Sequence, residues 1–214
     1  MADRWATFDC YGTLIDWNGG IRRELARVFG EERADTQLVR YHELEPVLQA
    51  GGERSYREVM TEAMHELGAP AGEEAGLAAA LPSWVPFPEV TGALRETRSR
   101  GWKLALLSNT DRDLIEASMK QIAVPFELAI VASEIGSYKP AHRHWQRFFE
   151  ATGAAYEGHV HVAQSHFHDV VPATDLGLRS IWINRYGERH EPVPTRELPD
   201  LSRLPDTLDE LVAA

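Results

Sequence analysis

The sequence predicts an α/β fold built on a parallel sheet, and three observations carry that prediction. Short apolar runs alternate with helix-like stretches along most of the chain, the pattern of strands joined by crossover helices. Gly101, Gly153 and Gly177 stand where those helices would end, the usual place for a left-handed cap. One long segment breaks the alternation and is helical throughout, which places it as an insertion between two strands.

The apolar runs, in order, are Trp5–Phe8, Leu104–Ser108, Leu128–Ala132, His159–Ala163 and Ser180–Asn184. Each has the length of a buried strand, and the turn residues Tyr11-Gly12-Thr13 follow the first. The helix-like stretches between them are Val90–Arg100, Asp111–Gln121, Pro140–Thr152 and Asp169–Leu176, with Pro140 read as a first-turn proline. From Ile15 to Ser83 no strand is convincing. Leu38, Tyr41, Leu44 and Leu48 recur at helical spacing, as do Tyr56, Met60, Met64 and Leu67. Gly51-Gly52 and Gly68–Gly72 punctuate this segment. The expected organisation is therefore a core domain of residues 1–14 and 84–214 and a helical cap domain of residues 15–83. The stretch Pro82–Pro88 is read as a stiff return hinge between them. No internal repeat or low-complexity tract is present.

A chain of 214 residues with 43% hydrophobic content can bury a real core and carry one modest insertion. The net charge of -11 argues against nucleic acid as a partner, because phosphate backbones are met by basic surfaces. No apolar run approaches the roughly 18 residues of a membrane span, and the first residues lack the apolar stretch of a signal peptide. Cys10 is the single cysteine, which excludes an intramolecular disulfide. The expected location is the cytoplasm.

In open parallel sheets ligands bind beyond the carboxyl ends of strands, so polar residues at those ends are the first candidates. Asp9 closes the first strand, where turn N–H groups can hold a carboxylate ionised as a nucleophile; a turn or N-cap aspartate is the plain alternative. Ser108-Asn109-Thr110 closes the second run before a helix, and its hydroxyls, amide and helix N–H groups suit an anion; simple capping would also place them there. Lys139 follows the third run and Asp169 the fourth, each alone an ordinary loop residue. Four such groups at four strand ends of one sheet point to a common site. Cys10 alternates away from Asp9 and is read as core packing. No group of residues has convincing transition-metal spacing; strand alternation lets at most some of His159, His161, His166 and His168 face the site, and plain strand and loop positions are the equal alternative.

Phe8-Asp9-Cys10-Tyr11-Gly12-Thr13-Leu14 resembles the first motif of the haloacid dehalogenase superfamily. Leu107-Ser108-Asn109, Tyr138-Lys139-Pro140 and Asp169 are similar to its second, third and fourth, in the right order and spacing over nearly the whole chain. The resemblance implies a Rossmann-like, three-layer core with an all-helical cap. It also bears on the reaction. Phosphatases of the superfamily carry a second aspartate two residues after the nucleophile, as acid for the leaving alcohol; here that position is Tyr11, a poor acid with its ordinary pKa near 10. Halide leaves unprotonated, and the Asp-Cys-Tyr-Gly-Thr form resembles the L-2-haloacid dehalogenase branch, as do Leu38-Val-Arg40, Pro86–Val90 and Trp182–Arg185.

What the resemblance implies is hydrolysis of short 2-haloalkanoic acids to 2-hydroxy acids through an ester on Asp9. Arg40 would receive the halide, with Arg33 as neighbouring fallback; Ser108 would hold the substrate carboxylate; Lys139 would keep the carboxylates ionised; Asp169 would orient or activate water. Thr13 and Asn109 would support by hydrogen bonds, and Tyr11, Trp84 and Phe87 would form an apolar wall. Trp145 stands where the branch has a tyrosine, and Gln164 and His166 where it has serine and asparagine, so both Trp145 and His166 are candidate substrate contacts. No cofactor or metal is expected. The partner is a small anionic substrate, with no nucleic acid and no membrane, and the resemblance allows a homodimer. The alternatives are a magnesium-dependent phosphatase holding its ion on Asp9, the Tyr11 carbonyl and Asp169, or a hydrolase of another small carboxylate such as azetidine carboxylate.

Overall fold

The computed structural model describes residues 3–213. Its framework is a six-stranded sheet, with every strand pairing parallel to its neighbours. The strands are β1 (Arg4–Phe8), β2 (Trp102–Ser108), β3 (Leu128–Val131), β4 (His159–Ala163), β5 (Arg179–Ile183) and β6 (Arg196–Leu198), in the order β3-β2-β1-β4-β5-β6. The direction of winding reverses between β1 and β4, so their carboxyl ends frame the crevice where such sheets bind ligands. The five strands expected from apolar runs are present, four within a residue of their predicted bounds and β2 starting two residues earlier, at Trp102. β6 was not expected: it is three residues long, and two of them, Arg196 and Glu197, are exposed.

Between β1 and β2 lie α1 (Trp17–Phe29), α2 (Glu31–Gln49), α3 (Tyr56–Glu66), α4 (Gly76–Ala80) and α5 (Val90–Ser99). The remaining helices are α6 (Arg112–Ile122), α7 (Ala132–Ile135), α8 (Arg143–Thr152), α9 (Val171–Asp175) and α10 (Leu204–Leu211). Period-two alternation sorts the sheet's side chains onto two faces. Ala6 and Phe8 pack in the larger apolar core with Leu94 of α5, Leu114 of α6 and Leu208 of α10; Trp5 packs in the smaller one with Trp145 and Phe148 of α8 and Ala173 of α9. The result is three layers.

α1 to α4 pack on one another, and their apolar stripes (Ile21, Leu25, Tyr41, Val59, Met60, Leu77) join the larger core. The chain leaves and re-enters the sheet layer side by side. Ile15 bridges Pro86, Asp16 N–H donates to the Val85 carbonyl at 3.0 Å, and Phe87 N–H donates to the Leu14 carbonyl at 3.0 Å. α3 begins with a capping box of Ser55 and Glu58. A second acceptor reaches it from beyond β2: the Asp111 carboxylate takes the N–H groups of Tyr56 and Arg57, each at 2.9 Å, and makes no side-chain cap for its own helix α6.

Two helix starts differ from expectation. Pro140 sits in a turn with a cis Lys139–Pro140 bond, and α8 begins at Arg143. The helix after β4 opens as a π-turn over His166–Val170 before α9.

Candidate active site

Four strand ends converge as expected. Asp9 follows β1, Ser108 ends β2, Lys139 follows α7, and Asp169 sits in the π-turn after β4. Lys139 Nζ is the hub, donating to Asp9 Oδ1 at 2.9 Å, Asp169 Oδ1 at 2.7 Å and the Leu107 carbonyl at 2.8 Å. Its three donors are thereby used, and its side chain is 1% exposed. The loop after β1 supplies the rest. Thr13 Oγ1 donates to Asp9 Oδ2 at 2.7 Å and accepts the Gln164 N–H at 2.8 Å, tying β1 to β4. Gly12 makes this turn possible with φ +88, and a Cβ there would sit 3.1 Å from Gln164 Oε1. Asn109 works on Lys139 itself: its Oδ1 accepts the Lys139 N–H at 2.7 Å and its Nδ2 donates to the Lys139 carbonyl at 3.0 Å.

The charge states follow from this geometry. Burial pushes the Asp9 carboxyl above its ordinary range, with the Lys139 charge pulling the other way and the Asp169 charge adding to the rise. Burial also pushes Asp169 upward, but Lys139 and a hydrogen bond from His161 outweigh it and hold the group at about 2. Asp169 is thus the permanent anion and Asp9 the carboxylate that protonates first on acidification. A reaction needing ionised Asp9 is full above its pKa and lost as pH falls through it. The acid limb of kcat/KM is therefore expected above the ordinary aspartate value of about 4 in a pH–rate profile, and a limb at or below that value would contradict the assignment.

Behind Asp169 runs a buried relay that only the parallel register reveals. Thr7 pairs with His161 across β1 and β4, and its Oγ1 lies 2.8 Å from both His161 Nδ1 and His159 Nε2; His161 Nε2 reaches Asp169 Oδ1 at 2.9 Å. With the His161 proton on Nε2, where Asp169 accepts it, Thr7 donates to Nδ1 and accepts from His159 Nε2. Burial lowers His159 to about 3, so its ring is neutral. The His161 ring also makes a T-shaped contact with Trp145, with ring centroids 5.1 Å apart.

Two polar atoms at the site have no protein partner: Ser108 Oγ and Asp169 Oδ2, both buried. Both residues line a cavity of about 480 Å³ between the sheet end and the helical segment. Its floor includes Asp9 and Lys139, and α1, α2 and α3 contribute Trp17, Asn18, His42, Glu45, Gln49 and Tyr56 to the opposite wall. Buried polar atoms without partners mark where an incoming molecule gains hydrogen bonds.

Several expected contacts lie elsewhere. Arg40 faces away from the cavity and donates to Gln37 Oε1 at 3.2 Å and to the Glu66 carbonyl at 3.4 Å, at the negative end of α3. The fallback Arg33 is exposed, with its guanidinium over the Phe29 ring. Trp84 is buried against Gly20, where a Cβ would fall 2.4 Å from the indole, and it does not line the cavity. Phe87 supports Arg185, whose guanidinium lies 3.6 Å from the ring centroid. Trp145 is on the far face of the sheet. His166 packs on Trp182 and bonds the Pro192 carbonyl at 2.9 Å, leaving Ser165, Phe167 and His168 at the rim. Burial lowers His168 to about 4, so it too is neutral. Tyr11 does line the cavity, but its hydroxyl bonds Ser118 Oγ at 3.0 Å and its ring stacks on Tyr56. Cys10 is fully buried in the larger core, as expected. The sequence reading missed Glu45 and Tyr56, together with Trp17, Asn18, His42 and Gln49 of the same wall and Thr7 of the relay; the sequence signal for Glu45 is an acid on the apolar stripe of Tyr41 and Leu48.

With this geometry the comparison with known proteins is direct. The profile of the haloacid dehalogenase-like hydrolases matches residues 4–162, and the chain belongs to that family of hydrolases. A haloacetate dehalogenase of Moraxella sp. is 38% identical over 104 residues, a match spanning 48% of this chain and 46% of that protein. An (S)-2-haloacid dehalogenase of Pseudomonas putida is 27% identical over 94% of this chain and 96% of its own length. In fold, the chain is similar to the L-2-haloacid dehalogenase from Xanthobacter autotrophicus, with a TM-score of 0.82 and 21% identity, covering 96% of this chain and 98% of that one. Among the described residues no helix is long and apolar enough to cross a membrane, and no group of three or more His, Cys, Asp and Glu could hold a metal ion.

Proposed function

We propose that this hydrolase converts short 2-haloalkanoic acids to 2-hydroxy acids through an ester on Asp9, with residues 15–83 acting as a cap over the reaction. The carrying observation is the Asp9–Lys139–Asp169 constellation at the floor of the cavity. Asp9 would attack the 2-carbon from the side opposite the halide, inverting the centre. Lys139 and Thr13 each donate to one of its oxygens and keep its orientation. The substrate carboxylate would rest on Ser108 Oγ, which has no other partner. Water would then attack the Asp9 carbonyl carbon, oriented by Asp169 Oδ2, the free acceptor on that side. At about 2, Asp169 suits orientation better than proton abstraction.

The magnesium phosphatase reading has one observation in its favour: Asp169 Oδ2, with Asp9 and the Tyr11 carbonyl, offers an ion oxygen ligands, and an ion there would neutralise phosphate charge. Against it stands Tyr11. Burial first, and the nearby Cys10 and Asp9 next, push its phenol above the ordinary value, so it is no acid for a leaving alcohol.

The test is halide release from L-2-chloropropionate, with a single turnover in heavy-oxygen water followed by mass analysis of the Asp9 peptide. Label is expected in the Asp9 carboxylate. Halide release with label only in the product acid would eliminate the ester, and phosphate-ester turnover without halide release would favour the second reading.

A further inference from the structure

Arg40 and Arg33 leave the cavity without the cap cation expected to meet the leaving group; Lys139 is the one lysine or arginine among the described residues lining it. What the cap does present is an acid. Glu45, on the buried face of α2, is 7% exposed and lines the same cavity as Asp9. One carboxyl oxygen, Oε1, accepts the Tyr56 hydroxyl at 2.8 Å, and that hydroxyl in turn accepts the Trp17 indole N–H at 3.0 Å. No lysine, arginine or backbone N–H bonds Glu45 among the described contacts, so nothing there compensates a buried negative charge. The groups facing it are Tyr56 of α3, Tyr41 of α2 itself, Tyr138 before Lys139, and Asp9 of the floor. None is a cation. Asp9 and Asp169 already outnumber Lys139, and a substrate carboxylate adds a further charge; an ionised Glu45 would oppose its entry, whereas a protonated one does not.

We propose that Glu45 is the cap residue that meets the leaving atom and hands it a proton, so that this pocket expels oxygen leaving groups, as in small oxirane carboxylates, as well as halide. The inference rests on Asp9 being the nucleophile. For oxirane-2-carboxylate, an Asp9 oxygen forms a bond to C2 while the ring C2–O bond breaks, and the ring oxygen takes the Glu45 proton. This gives the Asp9 ester of 2,3-dihydroxypropionate and ionised Glu45. Attack of water on the ester carbonyl then frees 2,3-dihydroxypropionate and the Asp9 carboxylate, and the proton released returns to Glu45. Burial, opposed by the Tyr56 hydrogen bond and reinforced by Asp9, places this carboxyl at about 7, where it is an acid of suitable strength at neutral pH. Glu45 contributes as an acid below that pH, and its contribution is lost as pH rises through it.

The experiment compares oxirane-2-carboxylate with L-2-chloropropionate across pH about 5 to 9 for the wild type, Glu45→Gln and Glu45→Asp. Glu45→Gln keeps the acceptor for Tyr56, so the fold is expected to tolerate it. Oxirane opening is expected to fall about tenfold per pH unit above about 7, to drop at least about 100-fold in Glu45→Gln, and to recover in part in Glu45→Asp. Chloride release is expected to fall by about tenfold or less, since halide needs no proton. Oxirane opening that Glu45→Gln leaves unchanged, or chloride release with no oxirane opening, overturns the proposal and leaves the nucleophile reading standing. If neither substrate turns over, the nucleophile reading fails and the proposal, which rests on it, is overturned with it.

Discussion

Lys139→Met will both unfold the protein more readily and silence it. The lysine ammonium, on a side chain only 1% exposed, compensates two carboxylates, and all three of its hydrogen bonds end on protein oxygens. Methionine fills the volume but leaves Asp9 and Asp169 facing each other without a cation. Removing one partner of a buried ion pair costs about 3–5 kcal/mol, which for a domain of this size is roughly 10 °C in Tm. The pH dependence separates this cause from lost packing. In the variant, burial without a counter-charge raises the folded-state pKa of the carboxyl pair above its unfolded value. Stability is then recovered as pH falls from about 8 to about 5, because protonating one carboxyl relieves the repulsion. Urea unfolding at several pH values measures this, and a pH-independent deficit would show that Lys139 acts by packing alone.

Asp9→Asn is expected to do the opposite: large loss of turnover, small loss of stability. The amide keeps an oxygen for Lys139 and an N–H₂ near Thr13 Oγ1, and Lys139 retains Asp169. An amide oxygen is a far weaker nucleophile than a carboxylate, so chloride release should fall by at least about 10³-fold at unchanged fold. Stopped assays alongside a thermal melt give both numbers, and a variant that melts normally yet still releases halide at the wild-type rate would remove Asp9 from the chemistry.

These effects concern residues that could be read from the chain, and the reason is geometric. A buried strand announces its end where apolar residues stop, so Asp9, Ser108, Lys139 and Asp169 could be placed at one sheet edge from the runs alone. Strand alternation also put Cys10 on the side away from the site, where the core holds it. Helices gave less away. Neighbouring helix positions differ by about 100° in direction, and which of Arg40, Tyr41 or Glu45 looks inward depends on how α2 packs against α1 and α3. The aromatic candidates failed for a related reason. Trp84 and Trp145 have the bulk to line a pocket and equally the bulk to fill a core, and packing partners distant in sequence, Gly20 and His161, decided the matter. β6 was hidden because its two charged residues lie exposed and only Leu198 turns inward.

The double hold of Asp111 on the start of α3 has a consequence for traffic into the cavity. A carboxylate two residues beyond Asn109 closes the hydrogen-bonding account of a helix in the roof, so lifting the roof on that side strips two backbone donors at once. The opposite rim is held differently, through the side-chain contact of Asn18 with the half-exposed Tyr186, beside the outward-facing Phe167. Opening that rim would break one side-chain contact, whereas opening the Asp111 side would break two backbone hydrogen bonds.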